Sequence, residues 1–315
     1  MKNDIFNTKG IKPMLIAEMQ DPFDSDDYIY EIKWDGIRSV AYLGSGTGTD
    51  IRNKRDIKTL QHYPELKDIN KQVKEKCILD GEVFVYKNGV SDFYEVQRRS
   101  ILNDPFKLRL AAKKYPASYV AFDIIYYKDR LVVDLPLMER KELLNKVIED
   151  SPRFCKSQFI EHNGIALFEA AKAQGLEGIV AKRKDSQYHF DKRTKNWVKC
   201  KVMVTEDFAL CGYIAKSNGM TSFILGQYAG TELIYKGHVT LGASIRKLNQ
   251  FKYNKISKSP FKYTPSDSGN ERAIWIEPKL VVVVEYMPTD KESYRQATCK
   301  AIVDDKLAIE CQYEV

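Results

Sequence analysis

The chain has 315 residues, 43% hydrophobic and 11% aromatic, enough apolar material to core one large or two medium domains. The longest apolar run is the strand-sized Leu280–Val284, the opening Met1-Lys2-Asn3-Asp4-Ile5-Phe6-Asn7 has no apolar signal core, and six scattered cysteines form no CxxC pair. A membrane span, export and a disulfide framework are therefore not expected, four histidines without HxH or HExxH spacing argue against zinc, and a net charge of +7 suits a polyanionic partner such as nucleic acid.

Residues 1–27 read as an irregular lead-in punctuated by Pro13 and Pro22. Strand patterns follow at 28–34, 37–43 and 50–52, the last two joined by the glycine-rich turn 44–48, which lacks the GxxxxGK[ST] pattern of a phosphate loop. In 28–34 a two-residue period puts Glu31, Lys33 and Asp35 on one side and Tyr28, Tyr30, Ile32 and Trp34 on the other. Two readings of Lys33 stand at this point: a nucleophile held on a rigid strand, or a salt-bridged lysine on a half-exposed one. Gly36 permits a tight turn or close backbone approach, and Arg38 follows on the return. Arg52, Lys54 and Arg55 form a candidate phosphate contact. Residues 59–76 read as helix broken at Pro64, 77–86 as a strand carrying Asp80-Gly81-Glu82, and 95–114 as basic helix interrupted near Pro105. An apolar strand with Asp123 at its middle spans 119–127, and helices are expected at 138–148 and 165–175. Strands are expected again at 176–183 and 197–202. Cys200, between Lys199 and Lys201, reads better as a small buried residue than as an activated thiol.

Beyond residue 202 helical patterns largely stop and short strands take over, at 207–214, 221–228, 232–236 and 280–286, with a surface loop over 252–270. This shift places a domain boundary near 202–206 and suggests a small barrel of OB type for the remainder.

Four strands share one oddity: Lys33, Glu82, Glu177, and Lys199 with Lys201 are isolated charges in apolar runs. Such charges are costly to bury unless they face a ligand, a metal or each other. Two lysines on one strand face call for a polyanion, phosphate being the natural one, and Glu82 and Glu177 offer hard oxygens suited to Mg2+. Phosphate, metal and a nucleophilic lysine together point to nucleotidyl transfer.

At this point the order of the motifs becomes specific. Pro13-Met14-Leu15, the run Glu31-Ile32-Lys33-Trp34-Asp35-Gly36-Ile37-Arg38 (KxDGxR), Arg52-Asn53, Asp80-Gly81-Glu82, Phe122-Asp123, Glu177 to Lys182, and Trp197 to Lys201 resemble, in order, the motifs of ATP-dependent DNA ligases. These belong to the covalent nucleotidyltransferase superfamily, and the ligase module of bacterial non-homologous end-joining enzymes is nearest in pattern. The resemblance implies an α+β fold: an ATP-grasp-like adenylation (nucleotidyltransferase) domain of antiparallel sheets and helices over 1–202, and an OB-fold β-barrel over 203–315. It implies that Lys33 takes AMP from ATP, that Glu31 reads adenine, that Phe122 stacks on it, and that Arg52 and Glu82 hold the ribose and nearby phosphate. Arg38 would face phosphate, Lys199 and Lys201 would grip the phosphates, Glu177 and Glu82 would bind Mg2+ or Mn2+, and Asp35 would support the lysine or metal. A free lysine, with a pKa near 10.4, is about one part in 10³ neutral at pH 7, so this chemistry needs burial and neighbouring cations to expose the amine.

The implied partner is nicked or broken duplex DNA. The second domain would close over ATP and then turn Lys236, Arg246 and Lys247 to the nucleic acid, although solvated surface charge is the plainer reading of those three. The length leaves room for no polymerase or nuclease domain, which suggests a minimal, monomeric, cytoplasmic ligase of bacterial or viral type, aided by a DNA end-binding protein. In the family's last motif Arg295, Lys300, Asp305 and Lys306 fit, but Val303 stands where an arginine is expected. Either self-adenylation is weakened or Lys300 or Lys306 substitutes. An RNA ligase, a capping guanylyltransferase, and a nucleic-acid-binding protein with an inactive site remain as alternatives.

Overall fold

The computed structural model describes residues 4–87, 89–265, 269–289 and 294–313. The chain divides into two compact units, Met1–Lys201 and Val202–Val315. No described helix is long and apolar enough to cross a membrane.

The first unit is built on two sheets. One runs Leu15–Met19, Arg193–Lys201, Gly178–Arg183, Tyr28–Ile32, Phe159–Glu161, so the strand leading to Lys33 is flanked on both sides. The other runs Gly48–Asn53, Ile37–Gly44, Cys77–Lys87, Ala117–Tyr127, Arg130–Leu131. Met14, Val40, Tyr42, Ile78, Ile125, Tyr188 and Trp197 form a buried layer drawing on both sheets. Each such side chain removed from water contributes about 1.5–3 kcal/mol. The outer face of the second sheet packs a larger core under Val96, Leu144 and Val147. These residues belong to the helices Phe93–Ser100 and Leu137–Val147. Asp92 and Asp104 accept backbone N–H bonds at the starts of Phe93–Ser100 and Pro105–Lys114, which fixes where those helices begin.

Three expectations need correcting. The lead-in is not wholly irregular: Leu15–Met19 pairs in parallel with Arg193–Lys201, a contact some 180 residues away that no local pattern reveals. Residues 59–76 form not a helix but three 3₁₀ turns, Leu60–His62, Pro64–Leu66 and Ile69–Gln72. Pro64 holds Tyr63 out of helical geometry (φ −134°, ψ 62°), and Tyr63, Leu66, Ile69 and Val73 anchor the segment on the core. The first strand stops at Ile32, so its alternation does not carry through Lys33, and Glu31 is 2% exposed rather than on a half-open face.

Gly36 makes the passage from one sheet to the other. A Cβ there would stand 2.1 Å from the Val83 carbonyl oxygen, so only glycine fits.

In the second unit the long strand Val204–Ala215 pairs with Val281–Met287 through residues 204–209 and with Thr221–Ala229 through 209–215. Glu232–Val239 and Arg295–Val303 are the outer strands, and a bridge between Leu241 and Thr298 joins those two edges. This antiparallel sheet is consistent with the OB-type fold expected for the unit. Arg295–Val303 is a further strand, one that the sequence pattern does not mark. The 252–270 stretch, of which 266–268 lie outside the described residues, is pinned by the buried Phe261 and by Asn270, which is hydrogen bonded to His238 at 2.9 Å.

Candidate active site

Lys33 lies one residue past its strand, with its backbone N–H donating to the Gly178 carbonyl at 2.9 Å. Gly178 has φ +132°, and a Cβ there would meet the Cys200 carbonyl oxygen at 2.1 Å. This close backbone packing presents Glu177 to the lysine. Lys33 Nζ donates to Glu177 Oε2 at 2.6 Å, while Lys201 Nζ lies 2.8 Å from Oε1. Burial alone would raise the Glu177 pKa, but Lys33 and Lys201 outweigh it and hold the carboxyl below its usual value. On Arg193–Lys201, Lys199 and Lys201 share a face, and burial, Lys201 and Lys33 together lower the Lys199 pKa. Two ammonium groups thus pair with one carboxylate and a third, Lys199, lies within electrostatic reach of both lysines, a local excess of positive charge suited to a polyphosphate. Cys200 points to the opposite, buried face, and burial raises its thiol to about 11, so it is no activated nucleophile.

Glu82 belongs to the facing sheet, across the ladder from Arg38. Burial pushes its pKa up to about 8 against the pull of Lys33 and Arg38, with Glu177 and Asp80 adding to the rise. An acid whose folded pKa exceeds its unfolded value near 4.5 holds an extra proton in the folded state between those limits. Its stability contribution is therefore full at low pH and is lost as pH climbs from about 4.5 to about 8. Glu82→Gln should accordingly gain melting temperature relative to the nucleotide-free parent between pH 5 and pH 9, by on the order of 3 °C. Thermal melts of both proteins across that range check it.

Arg38, expected to face phosphate, is held by an acid of the neighbouring strand. Its guanidinium makes a bidentate pair with buried Asp80 at 3.0 and 2.6 Å, and Tyr188 Oη donates to the same carboxylate at 2.7 Å. It lies 5.4 Å from the Phe122 ring centroid and 5.7 Å from that of Trp197. Arg52 is likewise held, by Asp50 at 3.1 Å and Asp56 at 3.2 Å. Asp35 sits half-buried in the turn before Gly36.

Phe122 belongs to a second cluster, with Trp197 and Lys182. Lys182 Nζ is 4.6 Å from its centroid and 4.3 Å from that of Trp197, and 2.9 Å from Glu31 Oε1. Lys141 approaches the same oxygen at 2.6 Å. Burial would raise the Glu31 pKa, but Lys141 and Lys182 outweigh it and keep the carboxyl low. Lys182, Lys141 and Asp80 were given no role from sequence. The signal for Lys141 is present, since it and Arg140 occupy core positions of an amphipathic helix with Leu137, Leu144 and Val147. Arg140 is explained by its bidentate pair with Asp123 at 2.8 and 2.9 Å.

Arg295, Lys300 and Lys306 belong to the second unit. Lys300 pairs with Glu285 at 3.1 Å and Lys306 with Asp207 at 2.5 Å. Val303 packs against the apolar cluster of Ala209, Cys211 and Ile224, where a guanidinium would be desolvated. Lys236 Nζ lies 3.2 Å from the Tyr313 ring centroid, and Arg246 and Lys247 are exposed on the short helix Ile245–Leu248.

Among the described residues no group of three or more His, Cys, Asp or Glu could enclose a metal. The donor set is two carboxylates, Glu177 and Glu82. It fits a hard cation that completes its shell with phosphate oxygens and water.

Comparison with known proteins gives a consistent set of matches. The family described as ATP dependent DNA ligase domain matches residues 13–201, and ATP dependent DNA ligase C terminal region matches 216–306. The SPbeta prophage-derived DNA ligase-like protein LigB of Bacillus subtilis is 32% identical over 222 residues, covering 70% of this chain and 77% of that protein. The multifunctional non-homologous end joining protein LigD of Mycobacterium bovis is 25% identical over 96% of this chain, which spans only 40% of that protein. The ligase domain of M. tuberculosis LigD superposes with TM-score 0.55 at 23% identity, covering 96% of this chain and 98% of that one. A Lig E DNA ligase structure gives TM-score 0.62 at 17% identity, covering 93% and 100%.

Proposed function

This chain belongs to the ATP-dependent DNA ligase family, and from that membership we propose that it joins a 3′-hydroxyl to a 5′-phosphate in nicked or broken duplex DNA through AMP carried on Lys33. The observation that supports this most is the contact of Lys33 Nζ with Glu177 Oε2 at 2.6 Å, inside a cluster completed by Lys199 and Lys201.

In the first step the neutral Lys33 amine attacks the α-phosphorus of ATP. A P–N bond forms, the bond to the bridging oxygen of the β-phosphate breaks, pyrophosphate leaves, and the proton lost by Nζ passes to Glu177 Oε2 and on to water. Glu177 orients Nζ, while Lys199 and Lys201 offset charge gathering on the departing phosphates. Phe122 offers a face to adenine and Glu31 an acceptor to its amino group. A divalent cation, Mg2+ or Mn2+, would be held by Glu177 and Glu82 and would supply further charge neutralisation. AMP then passes from Lys33 to the 5′-phosphate of the break, and the 3′-hydroxyl displaces it, sealing the strand and releasing AMP. In this reading Arg38, braced by Asp80, faces phosphate, and Arg52, braced by Asp50 and Asp56, holds the ribose and nearby phosphate together with Glu82. A DNA end-binding protein as partner and a monomeric state belong to the same proposal.

Incubation with α-labelled ATP or GTP followed by a denaturing gel tests it, together with sealing of nicked DNA and RNA duplexes. Label from ATP and sealing of DNA are expected. Label from GTP alone would favour a capping guanylyltransferase, and sealing of RNA alone an RNA ligase.

A further inference from the structure

Lys141, Glu31 and Lys182 form a buried triad with one more positive charge than negative, their side chains 3%, 2% and 3% exposed. Both ammonium groups converge on Glu31 Oε1, at 2.6 and 2.9 Å. An unbalanced buried cation is a poor way to stabilise a fold, because desolvation outweighs what a shared carboxylate returns. Lys141 could be removed and leave a balanced Glu31–Lys182 pair. Its presence therefore calls for another reason, and its place supplies one. Glu31 is two residues before Lys33, and Lys182 lies over the rings of Phe122 and Trp197.

We propose that Lys141 is a positioning residue, which fixes the Glu31 carboxylate from behind so that the Glu31–Lys182 pair presents an acceptor beside a donor to the edge of the nucleotide base. That pattern complements adenine, whose edge offers an amino donor beside a ring-nitrogen acceptor. Guanine in the same register sets its carbonyl oxygen against the carboxylate and its ring N–H against the ammonium. The surplus charge of the triad then finds its acceptor in the bound base. The groups facing Lys182 are Glu31 from Tyr28–Ile32, Lys141 from Leu137–Val147, Asp123 from Ala117–Tyr127, and Arg38 across the Phe122 and Trp197 rings. Lys141 is among those that lower the Lys182 pKa, after burial itself.

This inference rests on the ligase reading above, and the test separates the two. Formation of the ATP adduct by the parent protein, Lys141→Met and Lys141→Arg is measured against ATP concentration, with GTP as competitor and with thermal melts of all three. The expected result is a Lys141→Met protein that melts no lower than the parent, with KM for ATP raised about 10-fold or more, kcat changed much less, and weaker discrimination against GTP. Lys141→Arg restores KM. An unchanged KM and GTP discrimination in Lys141→Met, or a melting temperature lowered by more than about 5 °C, would overturn the proposal, the latter showing a structural role. A parent protein that forms no adduct would instead sink the ligase reading itself.

Discussion

Replacing Lys33 with alanine is expected to abolish the covalent AMP adduct and to reduce strand sealing by about 10⁴-fold or more. The size of this effect follows from what the lysine does. Other groups of the cleft orient or neutralise, and their loss leaves a slower version of the same reaction. Loss of Nζ removes the atom that bonds to phosphorus. Lys33→Arg should fail nearly as completely, because a guanidinium keeps its proton at any workable pH and offers no lone pair. Neither change should unfold the protein, since the side chain is half-buried and its backbone bond to Gly178 is retained. Labelled-ATP gels and nick-sealing rates, with circular dichroism as the folding control, measure it.

The second large effect is expected at Glu177. Glu177→Gln keeps the shape of the side chain but removes the charge that gathers Lys33 and Lys201, at 2.6 and 2.8 Å. Lys33 and Lys201 then lose their shared anion while Lys199 remains within electrostatic reach. The nucleotide phosphates should still be attracted, so KM for ATP should stay level or fall, whereas kcat for adenylation should drop on the order of 10²–10³-fold because the nucleophile is no longer aimed. A rise in KM with kcat intact would show that Glu177 serves binding alone. Steady-state adenylation kinetics distinguish the two.

The cleft was unevenly legible in the sequence, for physical reasons. Lys33, Glu177, Lys199 and Lys201 stood out because a charge inside an apolar strand is conspicuous, and the structure brings Lys33 and Lys201 onto Glu177. The partner of Arg38 was not readable, because Asp80 sits 42 residues away on the neighbouring strand. A local pattern shows a cation but not which carboxylate will claim it. The partners of Arg52 are local instead, since Asp50 and Asp56 are its near neighbours in sequence and the ion pair is readable there directly. Lys141 was hidden by habit: a lysine in a helix is taken as solvated, although its phase with Leu137, Leu144 and Val147 puts it on the buried face. In the fold, strands with strong alternation or apolar runs were readable. Leu15–Met19 was not, because the strand it pairs with, Arg193–Lys201, lies some 180 residues away. Val303 shows how a departure from a family motif can have a local cause, since its side chain packs on the barrel core.

In the proposed reaction one atom, Lys33 Nζ, carries AMP between ATP and DNA. The most direct test is to incubate the protein with ATP and a divalent cation but no DNA, digest it under alkaline conditions that preserve a phosphoramidate, and locate the added AMP by peptide mass spectrometry. AMP on Lys33 alone is the expected result, with the adduct discharged when nicked DNA is added. AMP on Lys199, Lys201 or any other residue, or no adduct at all, would contradict it.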